Sequence, residues 1–147
     1  MATVNGALRT EHPVLTFLLR VVIVVLTVAT AGIHASLGGP LFTLNAIGYT
    51  ALATLMVLPG QISRARWLVR LGLLGFVGAT IGGWILFGAR FPLAYLDKGI
   101  EVVLVAFLAL EIWLVDGGPL GVARRIRRLI VGFVGVLTRG GLARGRS

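Results

Sequence analysis

Long apolar runs alternate with short connections that contain glycine, proline or charged residues along most of the chain. Four such runs cover residues 14–35, 41–58, 67–87 and 92–115. Each is close to the ~20 residues that a helix needs to cross the hydrocarbon core of a bilayer. Because the connections are short, consecutive helices are expected to be antiparallel neighbours. The pattern predicts an all-α fold in which residues 14–116 form a four-helix transmembrane bundle.

The pattern changes after Asp116, where apolar and basic residues separate onto opposite sides of a helical wheel. The apolar side carries Val122, Ile126, Leu129, Ile130, Phe133, Val136 and Leu137. The basic side carries four arginines, Arg124, Arg125, Arg127 and Arg128. A basic amphipathic helix of this kind lies in the membrane interface rather than across it. We therefore expect an interfacial helix over residues 117–138, with these arginines at lipid headgroups, and a flexible basic tail over residues 139–147.

The first apolar run has a competing interpretation, because the small residues over 30–36 are also typical of a signal-peptide cleavage site. We expect the run to be retained as the first span, preceded by a cytoplasmic segment over residues 1–13.

Composition strengthens the membrane assignment. The 147 residues are 57% hydrophobic and 13% charged, with a mean hydropathy of +0.98, whereas soluble domains are about 25% charged. The net charge of +9 favours contact with anionic lipid headgroups, and no nucleic-acid partner is expected. The chain contains no cysteine, which excludes disulfides, thiolate nucleophiles and thiolate metal sites.

Basic residues near the ends of the runs predict orientation. Arg9, the Arg64, Arg66 and Arg70 group and the C-terminal arginines fall on one side, and only Arg90 and Lys98 fall on the other. Positive residues concentrate on the cytoplasmic side of membrane proteins. We expect a multi-pass protein of a prokaryotic plasma (inner) membrane with both termini in the cytoplasm.

Two charge pairs are predicted between the first and fourth runs. Arg20 and His34 share one face of the first helix, and Asp97 and Glu111 share one face of the fourth, each pair about 21 Å apart along its axis. In antiparallel helices Arg20 then meets Glu111, and His34 meets Asp97. The alternative for Arg20 is that its long stem carries the charge to the headgroups.

A polar pocket facing the outer side is the main candidate site, lined by His34, Asn45, Tyr49, Asp97, Lys98 and Glu101. An alternative without function makes Asp97 a helix N-cap and Glu101 a first-turn acid, and places Tyr49 and Tyr95 in an interfacial aromatic belt. The sequence shows no phosphate-binding loop, no nucleophile with its base and no metal-ligand spacing. No cofactor is therefore expected, although His34 leaves a single axial ligand to a haem or chlorophyll formally open.

Small residues crowd one side of the third run, namely Gly72, Gly75, Gly78, Ala79, Gly82 and Gly83. This glycine face permits the close backbone approach through which helices associate in lipid. Its partner is either a helix of the same chain or a helix of another subunit.

Three short groups of residues resemble a family of small four-span prokaryotic integral membrane proteins of uncharacterised function. They are Gly32-Ile33-His34 with Leu37-Gly38, Leu44-Asn45-Ala46 with Gly48-Tyr49, and Tyr95-Leu96-Asp97-Lys98 with Glu101. The resemblance implies the four-span fold and no mechanism.

The leading hypothesis is a non-enzymatic structural or accessory subunit of a membrane assembly, bound to other subunits or to copies of itself. The alternative is a small transporter or a proton- or cation-conducting protein that uses the polar pocket, and a pigment or haem binder through His34 ranks third.

Overall fold

The computed structural model describes residues 13–59 and 65–143, with side chains described as far as residue 134. Five helices make up this part of the chain, and it contains no strand. They are α1 (Pro13–Leu37), α2 (Pro40–Val57), α3 (Arg66–Phe87), α4 (Pro92–Asp116) and α5 (Gly118–Ala143). The predicted all-α class is therefore confirmed, and the first four helices follow the four apolar runs.

Proline and glycine set the helix boundaries. Proline occupies the start of α1, α2 and α4, where its missing N–H costs no helical hydrogen bond. Gly39 before α2 has φ +83°, and Gly117 after α4 has φ +78°. Glycine adopts these left-handed values without the steric cost that other residues meet. The chain can therefore reverse within two residues at each of these points.

The first four helices form a closed ring. α1 packs beside α2 and α4, and α3 packs beside the same two helices, so α2 and α4 face each other diagonally. α5 continues from α4, where Val122 packs near Trp67 and Ile112. Because α2 and α4 are diagonal, a side chain that joins them must cross the centre of the bundle.

The centre of the bundle is an apolar layer whose side chains are completely buried, namely Ile23, Met56, Leu73, Val77, Leu104 and Leu108. Beside this layer, Gly48 of α2 leaves room for the ring of Phe76 from α3. A Cβ added at Gly48 would lie 2.5 Å from Phe76 Cζ, and the Phe76 ring packs edge-on against Tyr49 with centroids 4.8 Å apart. Gly48 has no side chain, so α2 and α3 can approach closely at this point. Close packing of this kind drives helix association in lipid.

Three helices, α1, α2 and α3, are long and apolar enough to cross a membrane, not the four that the sequence pattern predicts. α4 is as long as α1 and lies in the same bundle, but it carries five ionisable residues, Asp97, Lys98, Glu101, Glu111 and Asp116. Composition alone therefore supports three spans, and a fourth requires an argument about where these charges point.

The last helix differs from its predicted bounds. α5 begins at Gly118 and continues to Ala143, so residues 139–143, predicted as flexible tail, are helical. Arg139 lies in this extension. Residues 1–12, with Arg9, lie outside the described part of the chain, as do Arg64 and the side chains of Val136 and Leu137.

Candidate functional site

Six polar side chains from all four bundle helices meet near one end of the ring. We call this set, His34, Tyr49, Thr80, Asp97, Lys98 and Glu101, the Glu101 cluster. α4 supplies three of them from adjacent turns, so their charges share one face. Glu101 and Tyr49 are completely buried, and His34 and Asp97 are each 2% exposed.

Glu101 is the best satisfied member of the cluster. Tyr49 donates its hydroxyl to Oε1 over 2.7 Å, and Thr80 Oγ1 lies 3.0 Å from the same oxygen. Lys98 donates Nζ to Oε2 over 2.6 Å. Hydrogen bonds to a charged acceptor are the strong ones. Through them Glu101 ties α4 to the diagonal helix α2 and to α3.

Asp97 is satisfied on one oxygen only. Lys98 Nζ lies 2.9 Å from Oδ2, whereas Oδ1 is 3.6 Å from His34 Nδ1, too far for a hydrogen bond, and has no other partner within the described residues. His34 Nδ1 lies 3.0 Å from the carbonyl oxygen of Thr30. A carbonyl can only accept, so Nδ1 carries a hydrogen.

The charges of the Glu101 cluster do not cancel. Asp97 and Glu101 contribute two negative charges and Lys98 one positive charge, so the net charge is −1 when His34 is neutral. Buried charges normally pair, because an uncompensated charge in a poorly solvated interior is costly. One further positive charge would bring this total to zero.

A cavity of about 390 Å³ opens beside the cluster. Its polar lining comes from His34, Asn45, Thr80, Asp97 and Lys98, and its aromatic lining from Phe42, Phe76, Trp84, Phe87 and Phe91. Near this end Arg90 Cζ lies 4.0 Å from the Trp84 ring centroid. We call this space the Asp97 cavity, because Asp97 is one of its lining residues.

Three side chains of the Glu101 cluster are potential metal ligands. His34, Asp97 and Glu101 bring one potential ligand atom each within 4.8 Å of one another. Lys98 Nζ already lies 2.9 Å from Asp97 and 2.6 Å from Glu101. The ammonium group therefore takes the position between the two carboxylates that a metal ion would need, and the donor set does not fit a divalent metal.

A second ionic group, the Glu111 cluster, lies at the opposite end of the bundle. Glu111 is completely buried, with Arg20 Nη2 at 3.5 Å from Oε1 and Arg70 Nε at 3.3 Å from Oε2. Asp116 accepts from Arg70 Nη1 over 2.7 Å and lies 2.9 Å from Arg125 Nη1. Arg70 is therefore the central cation, since it bridges two buried carboxylates.

The structure brings both sequence-predicted pairs together, Arg20 with Glu111 and His34 with Asp97. It also gathers five of the six predicted pocket residues in the Glu101 cluster, while Asn45 lines the adjacent cavity without joining the network. The alternative assignments for Asp97 and Tyr49 are wrong. The N-cap of α4 is Phe91 and not Asp97, and the first turn of α4 contains no acidic residue, so Glu101 is not a first-turn acid. Tyr49 is completely buried rather than interfacial.

Several contacts were not predicted from the sequence. Thr80 gave no signal, because a single threonine among glycines is typical of any packed helix. The links of Arg70 to Glu111 and Asp116 were also missed. Arg125 was expected at lipid headgroups, but the tight turn before α5 directs it to Asp116. The other three arginines of that set, Arg124, Arg127 and Arg128, are exposed.

The glycine face of α3 has little to pack against within the described residues. Only at Gly72 would an added Cβ meet a neighbour, Leu52 Cδ2 at 3.7 Å. Gly75, Gly78, Gly82 and Gly83 have open space there, and Ala79 is exposed. Ala79 and Gly83 line the Asp97 cavity, whereas an added Cβ at Gly75, Gly78 or Gly82 would meet no described residue within 4 Å.

Comparisons with protein-family models, with curated proteins and with solved structures gave no match. A functional proposal therefore rests on the geometry of this chain.

Proposed function

We propose that the chain is a four-span integral membrane protein that serves as a non-catalytic structural or accessory subunit of a membrane assembly. Support for α4 as the fourth span comes from where its charges point. Asp97, Lys98, Glu101, Glu111 and Asp116 are all buried in the bundle, and large apolar residues such as Val102 and Trp113 are exposed. Ionisable residues in spanning helices face the protein interior in this way.

The observation that carries the subunit role is the exposed glycine face. An outward helix surface without side chains offers lipid little contact area, but it lets the backbone of another helix approach closely. By contrast, the charged groups of the bundle contact one another, apart from Asp97 Oδ1. We propose that a transmembrane helix of another subunit, or of a second copy, packs on Gly75, Gly78 and Gly82.

The orientation follows the distribution of basic residues, with both termini in the cytoplasm of a prokaryote and α5 in the inner interface. Ile126, Ile130 and Phe133 are exposed on α5, so they have no protein core to enter. The exposed residues Arg124, Arg127 and Arg128, which we call the headgroup arginines, then face anionic lipid.

Native mass spectrometry of the protein released from its own membranes in lipid nanodiscs tests the subunit role. Wild type should appear as an assembly heavier than the 15.6 kDa chain. Gly78→Leu should shift it toward the single chain, because the new side chain separates the backbones. Val25→Leu is the control, since Val25 is a 59% exposed apolar residue on α1. A wild-type population made only of single chains would contradict the proposal.

Transport or ion conduction through the polar pocket is the second candidate, and the unused Asp97 Oδ1 beside an open cavity favours it. The central apolar layer argues against a conducting path. Its completely buried side chains, among them Ile23 and Leu108, lie between the Glu101 cluster and the Glu111 cluster. Proton flux into liposomes that is lost in Glu101→Gln would move this candidate ahead. A haem or chlorophyll at His34 has less support, since the ring is packed against Phe42 and Tyr49.

A further inference from the structure

We propose that the Asp97 cavity binds a small amphipathic monocation, a protonated alkyl or aralkyl amine, whose ammonium group donates to Asp97 Oδ1. The ligand site lies inside one chain. Binding there is separate from the subunit role and does not depend on the glycine face.

Hydrogen bonding sets the first requirement on the ligand. Asp97 is 2% exposed, and Oδ1 has no hydrogen bond within the described part of the chain. Buried polar atoms are normally paired, with protein groups, with water or with a ligand. Since a carboxylate oxygen only accepts, the missing partner must be a donor, and an ammonium N–H supplies one.

Charge sets the second requirement. With His34 neutral, the Glu101 cluster carries a net charge of −1, from Asp97, Glu101 and Lys98. A bound monocation brings the total to zero, a neutral ligand leaves −1, and an anion makes −2 in a poorly solvated place. A second positive charge on the ligand would lie near Lys98, which also lines the cavity. The charge balance therefore favours a ligand that carries a single positive charge.

The remaining walls set the third requirement. Aromatic rings line the cavity on several sides, including Phe42, Phe76 and Phe91. Aromatic faces attract ammonium groups electrostatically, and they also offer apolar contact to a hydrocarbon tail. The volume of about 390 Å³ is near the lower end of ligand pockets, roughly 300–1,000 Å³. A short aralkyl amine meets all three requirements.

Isothermal titration calorimetry of the full chain in nanodiscs tests the proposal with three probes of similar shape. They are 2-phenylethylammonium, the neutral 2-phenylethanol and the anionic phenylacetate. We expect saturable one-to-one binding of the amine, at least about tenfold weaker binding of the alcohol, and no binding of the anion. Asp97→Asn keeps the size of the side chain and removes the charge, so it should weaken the amine about tenfold or more.

A second pair of variants tests the site without touching the charges. Gly83 lines the cavity and Gly78 does not, and an added Cβ has open space at both positions on α3. Gly83→Leu should fill the cavity and abolish amine binding, whereas Gly78→Leu should leave binding unchanged even if the assembly dissociates. The two variants thus separate this proposal from the subunit role.

Several results would overturn the inference. Absence of amine binding to wild type is one, equal binding of the alcohol is another, and full retention of binding in Asp97→Asn is a third. Zn²⁺ is included as a separate probe. If Zn²⁺ bound and the amine did not, the His34, Asp97 and Glu101 donors would belong to a metal site instead.

Discussion

Replacing Arg70 by methionine should destabilise the bundle far more than replacing Arg20 by methionine, although both arginines contact Glu111. The side chain of Arg70 is 3% exposed and bridges Glu111 at 3.3 Å and Asp116 at 2.7 Å. The side chain of Arg20 is 24% exposed and makes one contact with Glu111, at 3.5 Å. Both variants remove one positive charge, but Arg70 is buried and Arg20 is partly exposed.

The expected magnitudes follow from that difference. Removing one partner of a buried ion pair costs roughly 3–5 kcal/mol. In Arg70→Met each carboxylate keeps one other cation, Arg20 for Glu111 and Arg125 for Asp116, so we expect about 3 kcal/mol. Exposed pairs are worth about 0.2–1 kcal/mol. Arg20→Met should cost about 1 kcal/mol, because Arg20 is partly solvated and Arg70 still holds Glu111.

The free energy of unfolding can be measured by titrating the protein from mild detergent micelles with SDS and following helicity by circular dichroism. Arg90→Met is the control, because Arg90 is exposed and belongs to neither cluster. In double-mutant cycles with Glu111→Leu, the coupling energy should be larger for Arg70 than for Arg20. Equal losses for the two arginine variants, or a larger loss for Arg20→Met, would refute the assignment of Arg70 as the central cation.

Two further predictions concern packing and the interface. Gly48→Ala should lower the free energy of unfolding by about 1–3 kcal/mol, because the new methyl group overlaps the Phe76 ring; the control Gly32→Ala, at an open helical position, should show no loss in the same SDS titration. Replacing the headgroup arginines by glutamine should weaken the binding of an α5 peptide to anionic vesicles by about 1 kcal/mol per charge, with little change on neutral vesicles. Flotation assays measure this, and indifference to lipid charge would point to a protein partner for α5.

The regular geometry of helices explains what the sequence predicted well. Arg20 and His34 on α1, and Asp97 and Glu111 on α4, share the same spacing, so antiparallel neighbours bring both pairs together at once. The helix boundaries could also be predicted from the sequence, because proline and glycine mark them. These features depend only on distances along a helix and on the local conformations that each residue type allows.

The unpredicted contacts depend on how helices rotate and how the chain turns. Thr80 and Arg70 reach the two clusters because α3 turns that side toward α4, and no spacing within α3 determines this rotation. Arg125 meets Asp116 across the tight turn between α4 and α5, where Gly117 and Gly118 have positive φ values. The five charged residues of α4 keep it out of the three candidate spans that length and composition identify. Their burial depends on packing against the other helices, which composition does not show.

The crossing of α4 is the central structural claim, and accessibility labelling tests it most directly. The chain has no cysteine, so Ser36→Cys, in the last turn of α1, and Ser147→Cys, at the C-terminus, each introduce a single reactive thiol. If α4 crosses the membrane, a membrane-impermeant thiol reagent added to intact cells labels Ser36→Cys alone, and Ser147→Cys reacts only after permeabilisation. If only α1, α2 and α3 cross, the C-terminus lies outside, and equal labelling of both variants in intact cells would contradict the four-span account.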